Sequence, residues 1–258
     1  MNVIDKIIFV TGGANGIGRA LCERFASEGA KKVVVADVDF ENAQIVADKI
    51  DGKAIRLDAS DEVQVIAAVE ETLDEFGQID LVCSNAGIGG ADGGLNVPND
   101  VWQKIYEINV LSHLYLSRAF FPSMIDRGAG YFLITASAAG LLTHPTAAPY
   151  AVTKHAAVAF AEWLSIAYHE RGIKVSCLCP QGVKTDLIKS ADGMPENFLM
   201  AEAISVEECA DAVVEGLESE KFLILPHAEV ADYIRNKAEN YDRWLYSLRK
   251  IRAAVLAK

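Results

Sequence analysis

A tyrosine and a nearby lysine are the side chains of this sequence best placed to move a proton. Tyr150 and Lys154 lie four residues apart, and on a helix residues with this spacing share one face. A free tyrosine has a pKa near ~10, which is too high for a base at neutral pH. A lysine cation beside the ring stabilises the phenolate and lowers that pKa. The pair therefore predicts a tyrosine that acts as a general acid or base.

A serine upstream adds a hydroxyl at the expected place for a reacting oxygen. Ser137 lies 13 residues before Tyr150 and just past the apolar run 131–135. Ligands bind at the carboxyl ends of parallel strands, and a hydroxyl there stabilises charge that develops on a carbonyl or alcohol oxygen. A tyrosine and a lysine at this spacing often occur by chance as a surface pair. The interpretation therefore depends on the rest of the sequence.

A glycine-rich loop lies between the first apolar run and the helix predicted after it. A dinucleotide pyrophosphate needs such a loop, because glycines let the backbone turn sharply and approach the phosphates at a helix N-terminus. The spacing here is G-x-x-x-G-x-G, and the alternative is a glycine-rich turn without a ligand. The cofactor-binding residues predicted in this loop are Gly12, Asn15, Gly16, Ile17 and Gly18.

Two aspartates indicate which dinucleotide the loop would hold. Asp37 ends the second apolar run, 19 residues after Gly18. A carboxylate there accepts hydrogen bonds from the adenosine ribose and repels a 2′-phosphate, so the sequence favours NAD over NADP. The alternative is a solvated carboxylate at a strand end. Asp58 is placed to bond the adenine amino group, or else to cap the helix that begins near Glu62.

The elements that must position these residues alternate along the chain. Short apolar runs occur at 7–10, 32–36, 54–57, 79–83, 131–135, 175–179 and 222–225. They are continuous and rich in β-branched residues, as in parallel strands covered on both faces. Amphipathic helical stretches lie between them, for example at 17–28, 41–50 and 62–76. This alternation predicts one α/β domain over residues 1–258, a Rossmann-type doubly wound parallel sheet in three layers.

These motifs, taken in order, resemble the classical short-chain dehydrogenase/reductase family. The resemblance runs from Lys6 to about Thr185, some two thirds of the chain. It implies that Asn109 completes a catalytic tetrad with Ser137, Tyr150 and Lys154. It also implies further cofactor-binding residues beside the adenosine and around the nicotinamide carboxamide, namely Asn85, Ala86, Gly87, Pro180, Val183 and Thr185.

The same resemblance implies a reaction and an assembly. We expect hydride transfer between NAD and a secondary alcohol or ketone, and a homodimer or homotetramer formed through helices near 100–125 and 150–170. The main alternative is a 3-oxoacyl thioester reductase, which would use NADPH and usually has a basic residue in the glycine loop or after the second strand. Another is a protein that senses dinucleotides without turnover, which would have lost the tyrosine or the lysine.

Two features depart from the family pattern. Gln181 stands where the family usually has glycine after Pro180. The chain also lacks the glycine-rich ending of many members, and Pro226 and His227 follow its last apolar run instead. Pocket closure and assembly therefore need not follow those of the common members.

The substrate pocket is predicted to be largely apolar. We expect it to involve Ser137, Ala139, His144 and a flap over residues 186–205 that includes Leu187 and Phe198. Such a lining suits a medium-sized apolar alcohol or ketone. Two alternatives stay open: the apolar flap residues pack only on the protein's own helices, and His144 is merely solvated.

Composition excludes several classes of partner. The 36 acidic and 24 basic residues give a net charge of −12, which argues against a nucleic-acid partner. The five cysteines are an odd number without a C-x-x-C motif, which indicates reduced thiols in the cytoplasm.

The histidines have no metal-ligand spacing, so no metal is expected. The start of the chain does not resemble a signal peptide, and no run predicts a membrane span.

The C-terminal tail differs from the rest of the chain in charge. Residues 243–258 contain five basic residues and no acidic one, so the remainder has a net charge of −17. Apolar residues at helical spacing predict an amphipathic helix within the helical tail 229–258. It could pack on its own or a neighbouring subunit, lie on a membrane surface, or fray. The acidic body favours packing on a subunit.

Overall fold

Seven parallel strands form one sheet in the part of the chain that the structure describes. The structure is a computed structural model that describes residues 1–89, 92–185 and 203–257. The strands are β1 (Ile7–Thr11), β2 (Lys32–Asp37), β3 (Lys53–Arg56), β4 (Leu81–Ser84), β5 (Gly130–Thr135), β6 (Ile173–Leu178) and β7 (Leu223–Ile224). Their order is β3-β2-β1-β4-β5-β6-β7, and all neighbours are parallel. This confirms the predicted doubly wound sheet.

Helices cover both faces of this sheet. They are α1 (Gly16–Ser27), α2 (Phe40–Lys49), α3 (Glu62–Phe76), α4 (Asn99–Tyr106), α5 (Ser112–Asp126), α6 (Ala139–Leu142), α7 (Ala148–Tyr168), α8 (Val206–Glu218), α9 (Glu229–Glu239) and α10 (Tyr241–Leu256). A π-helical turn, Glu107–Leu111, joins α4 to α5. The predicted helices at 17–28, 41–50 and 62–76 match α1, α2 and α3 to within one residue at each end.

Successive residues of β1 face opposite sides of the sheet. Phe9 packs in one core cluster with Phe120 and Phe132, whereas Ile8 and Val10 pack in the other. All five side chains are fully buried. Burial on both faces explains why the strand is continuously apolar instead of alternating. The result is the predicted three-layer arrangement.

The order of the strands opens a crevice at their carboxyl ends. From β1 the chain moves outward through β2 and β3, then crosses to the other side of β1 with β4. Connections that diverge from adjacent strands leave a gap above them, where ligands bind in folds of this kind. The glycine loop follows β1, the Asn85 loop follows β4 and Ser137 follows β5. The topology therefore brings together residues that are far apart in sequence.

The C-terminal helices pack on the segment that joins β5 to α7. Val230 of α9 is fully buried and forms a small apolar cluster with Ala138 and Leu142, against which Trp244 packs. Two side chains also donate to carbonyl oxygens of α6: Lys237 Nζ to Leu141 at 2.6 Å, and Trp244 Nε1 to Leu142 at 3.4 Å. The tail thus packs on its own chain.

One face of α10 remains uncovered in this chain. None of its residues is buried, and Tyr246 and Leu256 are among its exposed side chains. Packing of this face on a neighbouring subunit stays a prediction. No helix within the described ranges is long and apolar enough to cross a membrane.

The cysteines lie inside the fold. All are buried and free, and they are Cys22, Cys83, Cys177, Cys179 and Cys209. Burial raises the pKa of Cys22 and of Cys83, and a hydrogen bond with Cys179 together with burial raises that of Cys177.

Candidate active site

The backbone of the glycine loop adopts conformations that residues with a Cβ atom disfavour. Gly12 and Gly16 have φ angles of +65° and +54°, in the left-handed region that disfavours side chains. Gly18 has a different reason to be glycine, since a Cβ added there would lie 1.9 Å from the carbonyl oxygen of Gly12. The loop therefore turns tightly and then brings α1 close to β1.

The loop after β4 is tied to the glycine loop through one threonine. The Thr11 hydroxyl oxygen accepts hydrogen bonds from the backbone N–H groups of Asn85 at 3.0 Å and Ala86 at 3.1 Å. The Asn85 amide donates back to the Thr11 carbonyl oxygen at 3.0 Å. These contacts fix the two sides of the crevice relative to each other. Thr11 lies just before the cofactor-binding residues that the sequence predicts and is not one of them.

Asp37 faces the glycine loop from the end of β2. One carboxylate oxygen accepts a hydrogen bond from Ala14 N at 3.0 Å, and the other accepts one from Asp39 N at 2.9 Å. Each carboxylate oxygen has further lone pairs, so the group retains acceptors for a ligand. The structure therefore places this carboxylate beside the loop rather than free at a strand end.

Asp58 does not cap α3. The N-cap is Asp61, whose side chain accepts hydrogen bonds from Val63 N and Gln64 N. The Asp58 carboxylate instead accepts from the backbone N–H of Ser60 at 2.9 Å and from its hydroxyl at 2.6 Å. The alternative of a helix cap at Asp58 was therefore wrong. A contact of this residue with adenine stays a prediction.

Asn109 lies in the π-helical turn between α4 and α5, and it is fully buried. Its side chain accepts a hydrogen bond from Ile88 N at 2.9 Å and donates to Ile88 O at 3.0 Å. A Cβ added at Gly87 would lie 3.3 Å from both Asn109 Oδ1 and Lys154 Nζ. The loop after β4 thus passes closely over two residues of the predicted tetrad.

Lys154 is buried within α7 and reaches toward the sheet. Only 3% of the residue is exposed, and its ammonium donates a hydrogen bond to the Thr135 carbonyl oxygen at 3.0 Å. Burial lowers the pKa of Lys154 to about 8. The lysine is therefore a cation held at the carboxyl end of β5 at a free-energy cost.

Ser137 and Tyr150 meet above that lysine. The Ser137 hydroxyl accepts a hydrogen bond from Ala139 N at 3.1 Å. Lys154 Nζ lies 5.7 Å from the centroid of the Tyr150 ring. Burial raises the pKa of Tyr150, and hydrogen bonding with the Ser137 hydroxyl opposes that rise.

The direction of this pKa shift differs from the sequence expectation. Spacing alone predicts a lowered pKa for Tyr150, because Lys154 shares its helix face. In the structure the ammonium is engaged by the Thr135 carbonyl, and the loss of water around the phenol has the larger effect. Sequence spacing gives the neighbour correctly but carries no information about burial.

The loop after β6 closes the site on its other side. Pro180 O accepts a hydrogen bond from Ala138 N at 2.8 Å, and Val183 forms an isolated bridge with Ile204. Farther along, Thr185 lies against the glycine loop, since a Cβ at Gly16 would be 3.2 Å from its Cγ2 atom. The structure therefore brings this loop and the glycine loop together.

His144 is more than a solvated loop residue. It is half-buried, and its Nδ1 atom accepts a hydrogen bond from Ala147 N at 3.1 Å, just before α7 begins. Burial lowers its pKa. Its ring centroid lies 6.2 Å from that of Tyr150, so His144 borders the predicted acid/base.

The remaining substrate predictions divide between described and undescribed parts of the chain. Ala139 is buried at the start of α6, next to the Ser137 hydroxyl. Leu187, Phe198 and most of the predicted flap 186–205 lie outside the described residues.

Sequence reasoning missed His227. This residue is 4% exposed, and its Nδ1 atom accepts a hydrogen bond from Gln181 N at 3.2 Å. The contact spans 46 residues of sequence, and no local pattern around the histidine indicates it. The only available signal was that both positions depart from the same family pattern.

Comparison with known proteins identifies the family. A family model described as short chain dehydrogenase matches residues 6–195, from β1 past the loop that ends at Thr185. The chain belongs to this family. Its members are oxidoreductases that act on CH–OH groups.

Similar proteins within the family differ in their reactions. The 1-deoxy-11-beta-hydroxypentalenate dehydrogenase of Streptomyces exfoliatus is 33% identical over 248 residues, covering 93% of this chain and 90% of that protein. The 3-oxoacyl-acyl-carrier-protein reductase of Escherichia coli is 32% identical over 193 residues, covering 74% and 78%.

A solved structure shows the same architecture. A short chain dehydrogenase/reductase from Burkholderia phymatum, crystallised in complex with NAD, superposes with a TM-score of 0.84 at 28% identity. The match covers 94% of this chain and 96% of that one. The family and the fold are therefore established together.

Proposed function

We propose that this chain is an NAD-dependent dehydrogenase or reductase with Tyr150 as its acid/base. Its substrate is a medium-sized, largely apolar secondary alcohol or ketone. The observation that carries the proposal is the meeting of Ser137, Tyr150 and the buried Lys154 at the carboxyl end of β5. Membership in the short chain dehydrogenase family supplies the class of reaction.

The glycine loop is suited to a dinucleotide. Gly12 and Gly16 make a cradle without side chains, and α1 begins directly from it. The first turn of α1 contains no acidic residue, and the Asn15 side chain makes no capping hydrogen bond to the described residues. Amide N–H groups at such a helix start bind a pyrophosphate.

Asp37 supports NAD over NADP. Its carboxylate lies next to the glycine loop through its hydrogen bond with Ala14 N. It would accept hydrogen bonds from the adenosine ribose and repel a 2′-phosphate at that place. Asp58, Asn85, Ala86 and Gly87 would line the adenosine side, and Pro180, Val183 and Thr185 the nicotinamide side.

The reaction follows from the three side chains at the end of β5. A nicotinamide ring bound there would supply the hydride to the ketone carbon, or accept it from the alcohol carbon. The Ser137 hydroxyl donates a hydrogen bond to the substrate oxygen, which stabilises charge developing there. Tyr150 takes the proton of an alcohol, or gives one to a ketone, at the same oxygen. Lys154 holds a positive charge nearby, which favours the phenolate form of Tyr150.

Asn109 is proposed to hold the path by which the proton reaches water. Its buried side chain exchanges two hydrogen bonds with the backbone of Ile88 and donates a third to the Thr153 hydroxyl at 3.3 Å, which fixes the π-helical turn in place. A water chain from Lys154 to solvent would then start beside this turn. Ala139 and His144 would line the substrate pocket, together with Leu187 and Phe198.

A 3-oxoacyl thioester reductase is the second candidate. The similarity to the Escherichia coli reductase favours it, at almost the same identity as the pentalenate-type dehydrogenase. The acidic side chain at Asp37 argues against the NADPH that such a reaction is expected to use. Reduction of an acetoacetyl thioester by NADPH, faster than oxidation of any secondary alcohol by NAD, would make it the correct assignment.

One screen tests the proposal. Purified protein is mixed with a panel of secondary alcohols of increasing length, with NAD and NADP in parallel, and formation of reduced nicotinamide is followed by absorbance. We expect turnover with NAD and a medium-sized apolar alcohol, with much lower efficiency for NADP. Absence of turnover with every alcohol and with the matching ketones would contradict the proposed function.

The buried, free cysteines support a reducing compartment, and we propose that the protein acts in the cytoplasm. We also propose a homodimer or homotetramer. Trp163 and Ile166 of α7 are exposed large apolar residues that an assembly would cover. Light scattering on the purified protein would decide the mass.

A further inference from the structure

The two positions that depart from the family pattern are joined in the fold. Gln181 lies after β6 and His227 lies after β7. The backbone N–H of Gln181 donates to His227 Nδ1 at 3.2 Å. The side-chain amide of Gln181 donates to Glu229 Oε1 at 2.8 Å. The residue that replaces glycine in the loop thus makes two contacts with the C-terminal segment.

Core packing alone does not account for His227. The side chain is 4% exposed, and its Nδ1 atom accepts a hydrogen bond, so the imidazole proton lies on Nε2. That Nε2 atom is buried and has no partner among the described residues. Burial of an unpaired donor costs free energy, which an apolar residue of similar size would avoid. The bond at Nδ1 is the one contact of this side chain that an apolar residue could not supply.

The residue before Gln181 is held from the opposite side by the loop after β5. Pro180 O accepts a hydrogen bond from Ala138 N at 2.8 Å. The peptide that joins Pro180 to Gln181 is therefore fixed on one side by the serine segment and on the other by His227. From this fixed point the chain continues to Thr185, which lies against the glycine loop.

We propose that His227 is a positioning residue for the nicotinamide half of the dinucleotide. It holds the N–H of Gln181 and thereby sets the path of residues 180–185. A loop whose backbone groups bind a carboxamide does so well only if its path is fixed before binding. The inference rests on the proposed function, because it assigns these loop residues to the cofactor.

The test compares three substitutions of His227 that keep, move or remove the hydrogen-bond acceptor. His227→Asn keeps an oxygen near the place of Nδ1. His227→Gln moves it toward the place of Nε2, and His227→Leu removes it. His169→Asn, at an exposed histidine after α7, is the matched control. Each protein is titrated calorimetrically with NADH and with ADP-ribose, which lacks the nicotinamide.

We expect the dissociation constant for NADH to rise at least fivefold in His227→Leu and about threefold in His227→Gln. It should stay within twofold of the wild type in His227→Asn and in the control. The constant for ADP-ribose should not change in any of them, because it lacks the carboxamide that residues 180–185 are proposed to bind. If His227→Leu does not fold, the contrast between the Asn and Gln variants decides the question.

Three outcomes overturn the inference. Equal weakening of NADH and ADP-ribose would make His227 a general structural residue. Unchanged NADH binding in folded His227→Leu or His227→Gln would show that the bond to Gln181 has no effect on the cofactor. A wild-type protein that binds neither ligand would overturn the proposed function, and this inference with it.

Discussion

At the scale of single residues, the surroundings of Tyr150 decide what its phenol can do. Burial raises its pKa, Ser137 opposes that rise, and the Lys154 ammonium lies below the ring. Burial thus disfavours the phenolate in the free protein, and under the proposed function we expect Lys154 and the substrate oxygen to favour it.

Removal of the phenolic hydroxyl should therefore remove catalysis and leave binding intact. We expect Tyr150→Phe to lower kcat/KM by about 10²–10⁴-fold, the usual contribution of a general acid or base. NADH affinity, measured by fluorescence titration, should be unchanged. Tyr246→Phe, at an exposed tyrosine of α10, is the control and should keep full activity. Near-full turnover of Tyr150→Phe would contradict the role given to Tyr150.

Asp37 should determine the choice between the two dinucleotides. Asp37→Asn removes the charge and retains one oxygen acceptor for Ala14 N. We expect kcat/KM for NAD to fall by about tenfold or more, since a hydrogen bond to a charged group is lost. Efficiency with NADP should rise, because repulsion of the 2′-phosphate is relieved. Asp48→Asn, at an exposed aspartate of α2, makes the same change of charge elsewhere. If Asp48→Asn shifts the preference for NAD over NADP equally, then long-range charge, and not contact with Asp37, determines that preference.

Lys154 should make stability depend on pH in a defined window. Burial lowers its pKa to about 8 from an ordinary value of 10.5. Between these values the unfolded chain binds more protons than the folded one, so this residue's contribution to stability rises with pH. Relative to Lys154→Met, the free energy of unfolding of the wild type should increase by on the order of 1–3 kcal/mol from pH 8 to pH 10. Urea unfolding at both pH values measures this, and a constant difference would show that the lysine titrates normally.

Spacing in the sequence was sufficient for some site residues and not for others. Tyr150 and Lys154 share a helix face, so their proximity follows from the number of residues between them. Asn109 came only from the family resemblance, because a π-helical turn has no simple sequence period. His227 was missed, since its partner lies 46 residues away.

At the scale of helices and strands, burial explains why the apolar runs of the sequence predict the strands well. The strands are covered on both faces, so each appears as an unbroken apolar run. The last run, 222–225, forms only the two-residue strand Leu223–Ile224. What the pattern could not give was the position of α9 and α10, because an amphipathic stripe shows that a helix packs but not on what.

The contact between α10 and α6 should matter for stability and for substrate binding. Trp244→Ala removes a half-buried ring from the cluster around Val230 and the hydrogen bond to Leu142 O. We expect a loss of about 1–3 kcal/mol, less than for a fully buried tryptophan, measured by urea unfolding. KM for the alcohol should rise more than that for NAD, because α6 lies beside Ser137. The control is Leu256→Ala, at an exposed position of the same helix, and an equal effect there would contradict the argument.

At the scale of the whole molecule, the basic C-terminal tail contacts a loop near the candidate active site. The basic tail residue Arg252 donates to the carbonyl oxygen of Pro145, so part of the positive charge is directed at backbone dipoles near the site. The acidic residues lie before this tail, and one of them, Asp37, is proposed to select NAD over NADP. The net charge of −12 is thus compatible with an anionic cofactor, since the proposed phosphate site at the glycine loop consists of backbone amides.

The buried cysteines can serve as probes of local unfolding, because each becomes reactive only when it is exposed. They lie in four different elements or their ends: α1, β4, β6 and α8. Only the thiolate reacts with an alkylating reagent, and burial suppresses that form, so each thiol reacts only when its element opens. We expect iodoacetamide to modify Cys22 and Cys209 together, because α1 and α8 share one apolar cluster. Mass spectrometry of peptides sampled over time follows each site, and independent rates would show that the two helices detach separately. A ligand that binds across the crevice would slow those reactions whose opening disrupts its site, so thiol chemistry can report occupancy without any knowledge of the substrate.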